Sequence, residues 1–160
     1  MAQNLYQLLE HDDPVALRHI EKALSAEDAP NETVETVLSA LLWRRCTMGQ
    51  NGILGALLNH ECAARVSVMD EHLDVIGASD AAQAMRDLRT EIPLQDEHIR
   101  RGIIDWVYAN QNLVEHAKTL NEENLDVAPN VWTFMQKRKA NLPNIEIPDK
   151  RTGLLARLFG

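Results

Sequence analysis

Residues 47–60 read TMGQNGILGALLNH and place Gly49, Gly52 and Gly55 at intervals of three. Glycines so spaced can cradle a phosphate, let two helices approach closely, or mark a turn that opens a helix. A phosphate loop needs a strand before it and usually a Lys-Ser/Thr pair after it. Here Val34, Val37, Leu38, Leu41 and Leu42 precede the glycines at spacings of three and four, which predicts a helix running to about Met48. Ala56, Leu57 and Leu58 follow. The glycines therefore read as a turn opening a tightly packed helix, not as a phosphate cradle.

Outward from this stretch the helical period continues. Asp12 and Asp13 precede Pro14, an N-cap pair with proline in the first turn, and Leu17, Ile20 and Leu24 form one apolar stripe. Pro30-Asn31-Glu32 opens the helix that ends at the glycines. The next helix starts near Gly52, and another covers residues 63–75 until Gly77 stops it as a C-cap glycine. Ser79 is suited to cap the helix DAAQAMRDLRTEI, which ends before Pro93. Asp96-Glu97 begins a long helix through Ile99, Ile103, Trp106, Leu113 and Val114. Residues 121–126 are a polar break, and Pro129 begins a last helix closed by Pro143. PNIEIPDKRTG reads as an extended linker and LLARLFG as a short apolar end. No strand pair stands out. The expected fold is all-α, one domain of seven or eight helices over residues 1–143, with residues 144–160 as linker and basic-apolar tail.

The net charge is −8 over 160 residues, which argues against direct nucleic-acid binding, since that requires a basic surface. The charge is uneven: residues 1–43 hold eight acids and two bases, whereas residues 137–160 hold two acids and six bases. Cys46 and Cys62 lie in apolar surroundings without a CxxC, consistent with small core residues of a reduced, cytoplasmic chain. The N-terminus reads as neither signal nor transit peptide, and no apolar run is long enough to cross a membrane.

Sites of chemistry are sparse. DEHLD (70–74), DEHIR (96–100) and NHEC (59–62) mix metal-ligand types, but no histidine has a Glu three residues before it and no His-x-x-x-His occurs. No metal or cofactor is expected. No Ser or Cys has a recognisable nucleophile setting. Paired acids such as Glu122-Glu123 read as solvated helix starts, and Trp43, Trp106 and Trp132 as core.

From the opening stretch onward the chain resembles a bacterial domain family typified by a DNA-mimic protein. That family's pattern runs roughly N-G-G-F-x-Q-[FY]-x-x-N, followed after a helix by an A-L-x-x-I-G-A run and a helix ending in Phe-Pro. NGILGALLN supplies Gly52 and Asn59 at matching places, with Ile53 in the phenylalanine position, Gly55 for the glutamine and Ala56 for the aromatic. HLDVIGASDAAQAM matches the second run at Leu73, Ile76, Gly77 and Ala78, and EIP (91–93) stands for Phe-Pro. The match covers about residues 35–140 in order. It implies an all-α domain without catalysis, in which Gly52, Asn59 and Gly77 are framework residues. In the typifying member, an acidic surface occupies the DNA-binding face of a transcription factor.

Carboxylates four residues apart on a helix lie ~6 Å apart, comparable with phosphate spacing along a nucleic-acid strand. The candidate partner-binding acids are Asp12, Asp13, Glu27, Asp28, Glu32 and Glu35, with Asp70, Glu71 and Asp74 as a second group. The expected function is that of a non-enzymatic acidic module that binds another protein's basic surface, in its narrowest form a DNA mimic. An immunity or antitoxin-like protein would use the same chemistry. A small-ligand protein or enzyme would instead have a pocket near Gly49–Asn59. The basic tail is a rival docking element, and a homodimer is left open.

Overall fold

The computed structural model describes residues 3–120 and 125–148. They form an all-α fold. Helix α1 (Leu5–Leu8) and a 3-10 turn (Pro14–Ala16) lead to α2 (Leu17–Leu24) and α3 (Glu32–Thr47). Then come α4 (Leu54–Leu58), α5 (His60–Ala63), α6 (Met69–Val75) and α7 (Ser79–Glu91). The chain continues through α8 (Glu97–Arg101), α9 (Ile103–Ala109), α10 (Gln111–Leu120) and α11 (Ala128–Lys137). A short antiparallel pair, β1 (Gln3–Asn4) with β2 (Glu146–Ile147), is the only sheet among the described residues.

Helix α3 is the axis of the fold. Every residue from Thr36 to Trp43 is buried, so this stretch of the helix is covered on all sides. It packs against α2, α4, α5, α6 and α11. Two of its hydroxyls are satisfied within the helix: those of Thr36 and Thr47 donate to the carbonyls of Glu32 and Trp43, each at 2.8 Å. The Trp43 indole N–H donates to the Leu125 carbonyl at 3.2 Å. Asn31 caps α3 by accepting from the Val34 amide at 2.9 Å, while its own amide donates to the Asn141 carbonyl at 2.7 Å.

The opening glycines divide their roles. Gly52 has φ +52°, the left-handed conformation of a turn residue. A Cβ on Gly49 would meet nothing within 4 Å, whereas a Cβ on Gly55 would stand 2.0 Å from the Cys46 carbonyl oxygen. Gly55 is thus the close-approach glycine that seats α4 on α3. Asn59 caps α5, its Oδ1 accepting from the amides of Glu61 (3.0 Å) and Cys62 (3.2 Å). Gly77, with φ +81°, closes α6 in a Schellman arrangement: its amide reaches the Asp74 carbonyl and that of Ala78 the Leu73 carbonyl, both at 2.9 Å.

Several boundaries differ from the sequence expectation, and the eleven described helices exceed the seven or eight expected because long ones break. The helix expected over residues 63–75 is interrupted between α5 and α6. Val66, Ser67 and Val68 are weak helix formers there, and the interruption lets Val66 bury while Arg65 turns toward α3. The helix expected from Asp96 to Val114 breaks at Gly102 (ψ 42°) and at Asn110, whose side chain accepts from the Leu113 amide at 3.1 Å. Ser79 is the first residue of α7 and does not cap it; the Gly77 closure leaves Ala78 in the capping position.

Residues 144–148, expected to be linker, are tied to the N-terminus. Ile147 is buried and pairs with Gln3, and the Leu5 amide donates to the Ile145 carbonyl at 2.8 Å. Residues 149–160 of the expected tail and Glu122-Glu123 lie outside the described residues.

Candidate functional site

The end of α2, the first turns of α3 and helix α5 enclose an acidic groove of about 260 Å³. Its floor is Leu24, Leu38 and Leu42, and its walls carry Glu21, Glu27, Glu35 and Glu61 with one cation, Arg65. Local structure explains the convergence. Glu21 sits one turn before the end of α2, Glu27 lies in the loop beyond it, Glu35 is in the first turn of α3, and Glu61 follows the Asn59 cap.

Two arginines partly neutralise the four carboxylates. Arg45 bridges Glu21 (3.0 Å) and Glu61 (3.1 Å), and Arg65 pairs with Glu35. Behind the groove wall, Arg65 Nη1 also donates to Ser39 Oγ at 3.3 Å, and His72 Nδ1 lies 2.7 Å from the same hydroxyl. Ser39 is fully buried, so this is a fastening between α3 and α6 and not an accessible nucleophile. Burial, then the Arg65 charge, push the His72 imidazole below its ordinary pKa, so it stays neutral in the fold. Glu27, Asp28 and Glu32 are exposed and have no side-chain ion pair among the described residues. They surround the α2–α3 corner at the groove.

The other candidate acids do not extend this surface into a ridge. Asp70 is 1% exposed and accepts from Arg86 Nε (3.2 Å) and Arg89 Nη2 (2.7 Å) of α7. Asp74 pairs with Arg86 at 2.5 Å. The expected outward group is therefore mostly an inward clasp between α6 and α7, and of its three acids Glu71 alone is exposed without such a pair among the described residues. The reason is the spacing itself: Asp70 and Asp74 share a helix face, and Arg86 and Arg89 share the facing one.

Asp13 acts as expected at a helix start, accepting from the Val15 amide at 3.2 Å. Asp12 is exposed beside a separate cavity of about 450 Å³, lined also by Arg44, Asp126 and Trp132. Asp12 is not among the residues that line the acidic groove.

A third cavity, about 370 Å³, is lined by His60, Arg100, Arg101 and the start of α9. None of these three cavities is lined by residues 49–59, where a ligand pocket had been the alternative expectation. Among the described residues no group of three or more His, Cys, Asp or Glu could hold a metal ion, and no helix is long and apolar enough to cross a membrane.

Sequence reasoning missed Glu21, Arg45, Glu61 and Arg65. The one local signal was Glu61 and Arg65, four residues apart after a capping asparagine; the rest meet only through the packing of α2, α3 and α5. Compared with known proteins, the chain matches no family model, no curated protein and no solved structure.

Proposed function

We propose that this protein is a non-enzymatic acidic binding module whose α2–α3 corner and adjoining groove receive Lys or Arg side chains of a protein partner. The observation that supports this is the convergence of Glu21, Glu27, Glu35 and Glu61 on one groove, with Asp28 and Glu32 beside it and without an ion pair among the described residues. Four carboxylates against two guanidiniums leave the groove an anionic surplus. An incoming cation can replace Arg45 or Arg65 at a carboxylate, or meet the unpaired acids directly, without leaving a buried charge alone. Such complementarity acts mainly on association rate and on choice of partner. A DNA mimic is the narrower form of the proposal, in which the partner surface would otherwise hold phosphates. The resemblance to that family, on Gly52, Asn59 and the Leu73–Ala78 run, supports it.

Affinity capture from native extract at low and high salt tests the proposal. Exposed charges are screened beyond ~8 Å at physiological ionic strength, so capture should fall as salt rises. Charge reversal of Glu27, Asp28 and Glu32 together should abolish capture and leave helicity unchanged. If those reversals leave capture intact while deletion of residues 150–160 removes it, the basic tail is the docking element and the groove is not.

A further inference from the structure

The cavity of about 450 Å³ lies where α11 packs against α3 and the 3-10 turn, and two of the side chains that line it carry a buried donor without an acceptor. Arg44 Nε and Trp132 Nε1 are closed to water, and neither has a hydrogen-bond partner among the described residues. Trp132 is 4% exposed. A buried indole N–H normally finds a partner, as that of Trp43 does in the Leu125 carbonyl. An unmet buried donor costs stability, so each one in a native fold calls for an explanation. The other buried atoms of this kind among the described residues, Asp70 Oδ1 and Arg89 Nε, belong to the α6–α7 clasp and line none of the three cavities.

The carboxylates of this cavity stand toward solvent. Asp12 is exposed, and the Asp126 side chain is 56% exposed. Asp126 Oδ1 accepts from the Ala128 amide at 3.0 Å and lies 3.5 Å from Arg44 Nε, an attraction without a hydrogen bond. One guanidinium therefore meets two carboxylates. A ligand carrying only a carboxylate would face Asp12 and Asp126 as like charges. One carrying only a cation would leave the Trp132 donor unmet. A carboxylate and an ammonium on one small molecule answer both. The volume lies in the range of ~300–1,000 Å³ usual for small-molecule sites, and Pro129 and the Trp132 ring supply an apolar wall.

We propose that this cavity binds a free α-amino acid with an apolar side chain. Arg44, 28% exposed and held by no hydrogen bond at Nε, swings to admit the ligand carboxylate, which accepts from the guanidinium and from the Trp132 indole N–H. The ligand ammonium donates to Asp126 and Asp12 on the open side, while Asp126 keeps its bond to the Ala128 amide. The ligand side chain lies against Pro129 and Trp132. The site shares no lining residue with the acidic groove, so its test needs no protein partner and does not depend on that reading.

The isotope-labelled full chain is titrated with L-leucine and with L-phenylalanine, and the indole N–H resonances are followed by heteronuclear NMR. Trp132→Phe, which keeps an apolar ring, identifies the Trp132 signal. At least one of the two amino acids should bind saturably and move that signal. The N-acetyl form of the tighter one lacks the ammonium and its amide lacks the carboxylate, so each should bind at least ~10-fold more weakly. Arg44→Met, with its fold checked by circular dichroism, should weaken the free amino acid by a similar factor. A Trp132 signal unmoved by millimolar amounts of either amino acid would overturn the proposal. So would an acetylated or amidated form that binds as tightly as the free amino acid, or undiminished binding in folded Arg44→Met.

Discussion

Replacing Gly55 with alanine places a methyl group 2.0 Å from the Cys46 carbonyl oxygen and 2.9 Å from its carbonyl carbon. Both are backbone atoms near the end of a sixteen-residue helix, so no side chain can swing aside. Ordinary contact begins near 3.4 Å, so α4 must retreat from α3 by roughly 1.4 Å or α3 must deform. Retreat loosens Leu54 and Leu57, which are buried against the same surface. Overpacking costs ~1–3 kcal/mol, and partial loss of two leucine contacts adds to it, so a total of ~2–4 kcal/mol is expected. At 2–4 °C per kcal/mol for a chain of this size, Tm should fall by about 5–15 °C. Gly49→Ala is the internal control, because its Cβ meets nothing within 4 Å; it should change stability by less than ~0.5 kcal/mol. The assay is chemical denaturation followed by circular dichroism, both variants beside the parent. If Gly55→Ala is as stable as the parent, α4 does not approach α3 as described, and the close-approach role of the glycine is wrong.

Gly77→Val should destabilise by ~1 kcal/mol or more through its positive φ alone, with Gly77→Asn milder, because the nearest neighbour, Asn130 Nδ2, is 3.9 Å away and does not clash. Asp70→Ala should lower stability by ~2–4 kcal/mol in urea titrations, less than a fully buried pair would, because Arg86 and Arg89 can turn to water. His72 has its folded pKa held below its ordinary 6.5, so the unfolded chain binds the proton more readily and stability rises with pH. That contribution is complete above the unfolded value and is lost as pH falls below it toward the folded pKa. Denaturant midpoints measured across this window should drop more in the parent than in His72→Gln, and equal slopes would refute the role.

Much of the fold was legible where one residue's chemistry decides a boundary. Asn31 before Glu32, Gly77 after Ile76 and Asp96 before Glu97 marked helix ends that the structure retains, and the residues read as the inward stripe of α3, Val34, Val37, Leu38, Leu41 and Leu42, are all buried. Breaks set by weaker preferences were not legible: Gly102 and Asn110 sit inside an apolar period that continues across them. The pairing of Gln3 with Ile147 joins the two ends of the described chain, and no local pattern announces it. The groove was half legible. Charge density pointed to Glu27, Asp28, Glu32 and Glu35, which do gather at one corner. The same counting set Asp70 and Asp74 outward, because composition cannot tell a solvated carboxylate from one that faces an arginine on the next helix.

The most direct test of the acidic groove is a titration of the isotope-labelled protein with a short arginine- and lysine-containing peptide, read residue by residue by heteronuclear NMR. The parent is compared with the triple reversal of Glu27, Asp28 and Glu32 and with an equal reversal of Asp80, Glu97 and Asp105 elsewhere on the surface. Shifts in the parent should concentrate on residues 21–35 and 61–65, weaken with added salt, vanish in the groove reversal and persist in the distant one. Shifts spread evenly over all acidic helices, or weakened equally by both reversals, would show that the peptide senses net charge alone, and the groove would then have no claim as a binding site.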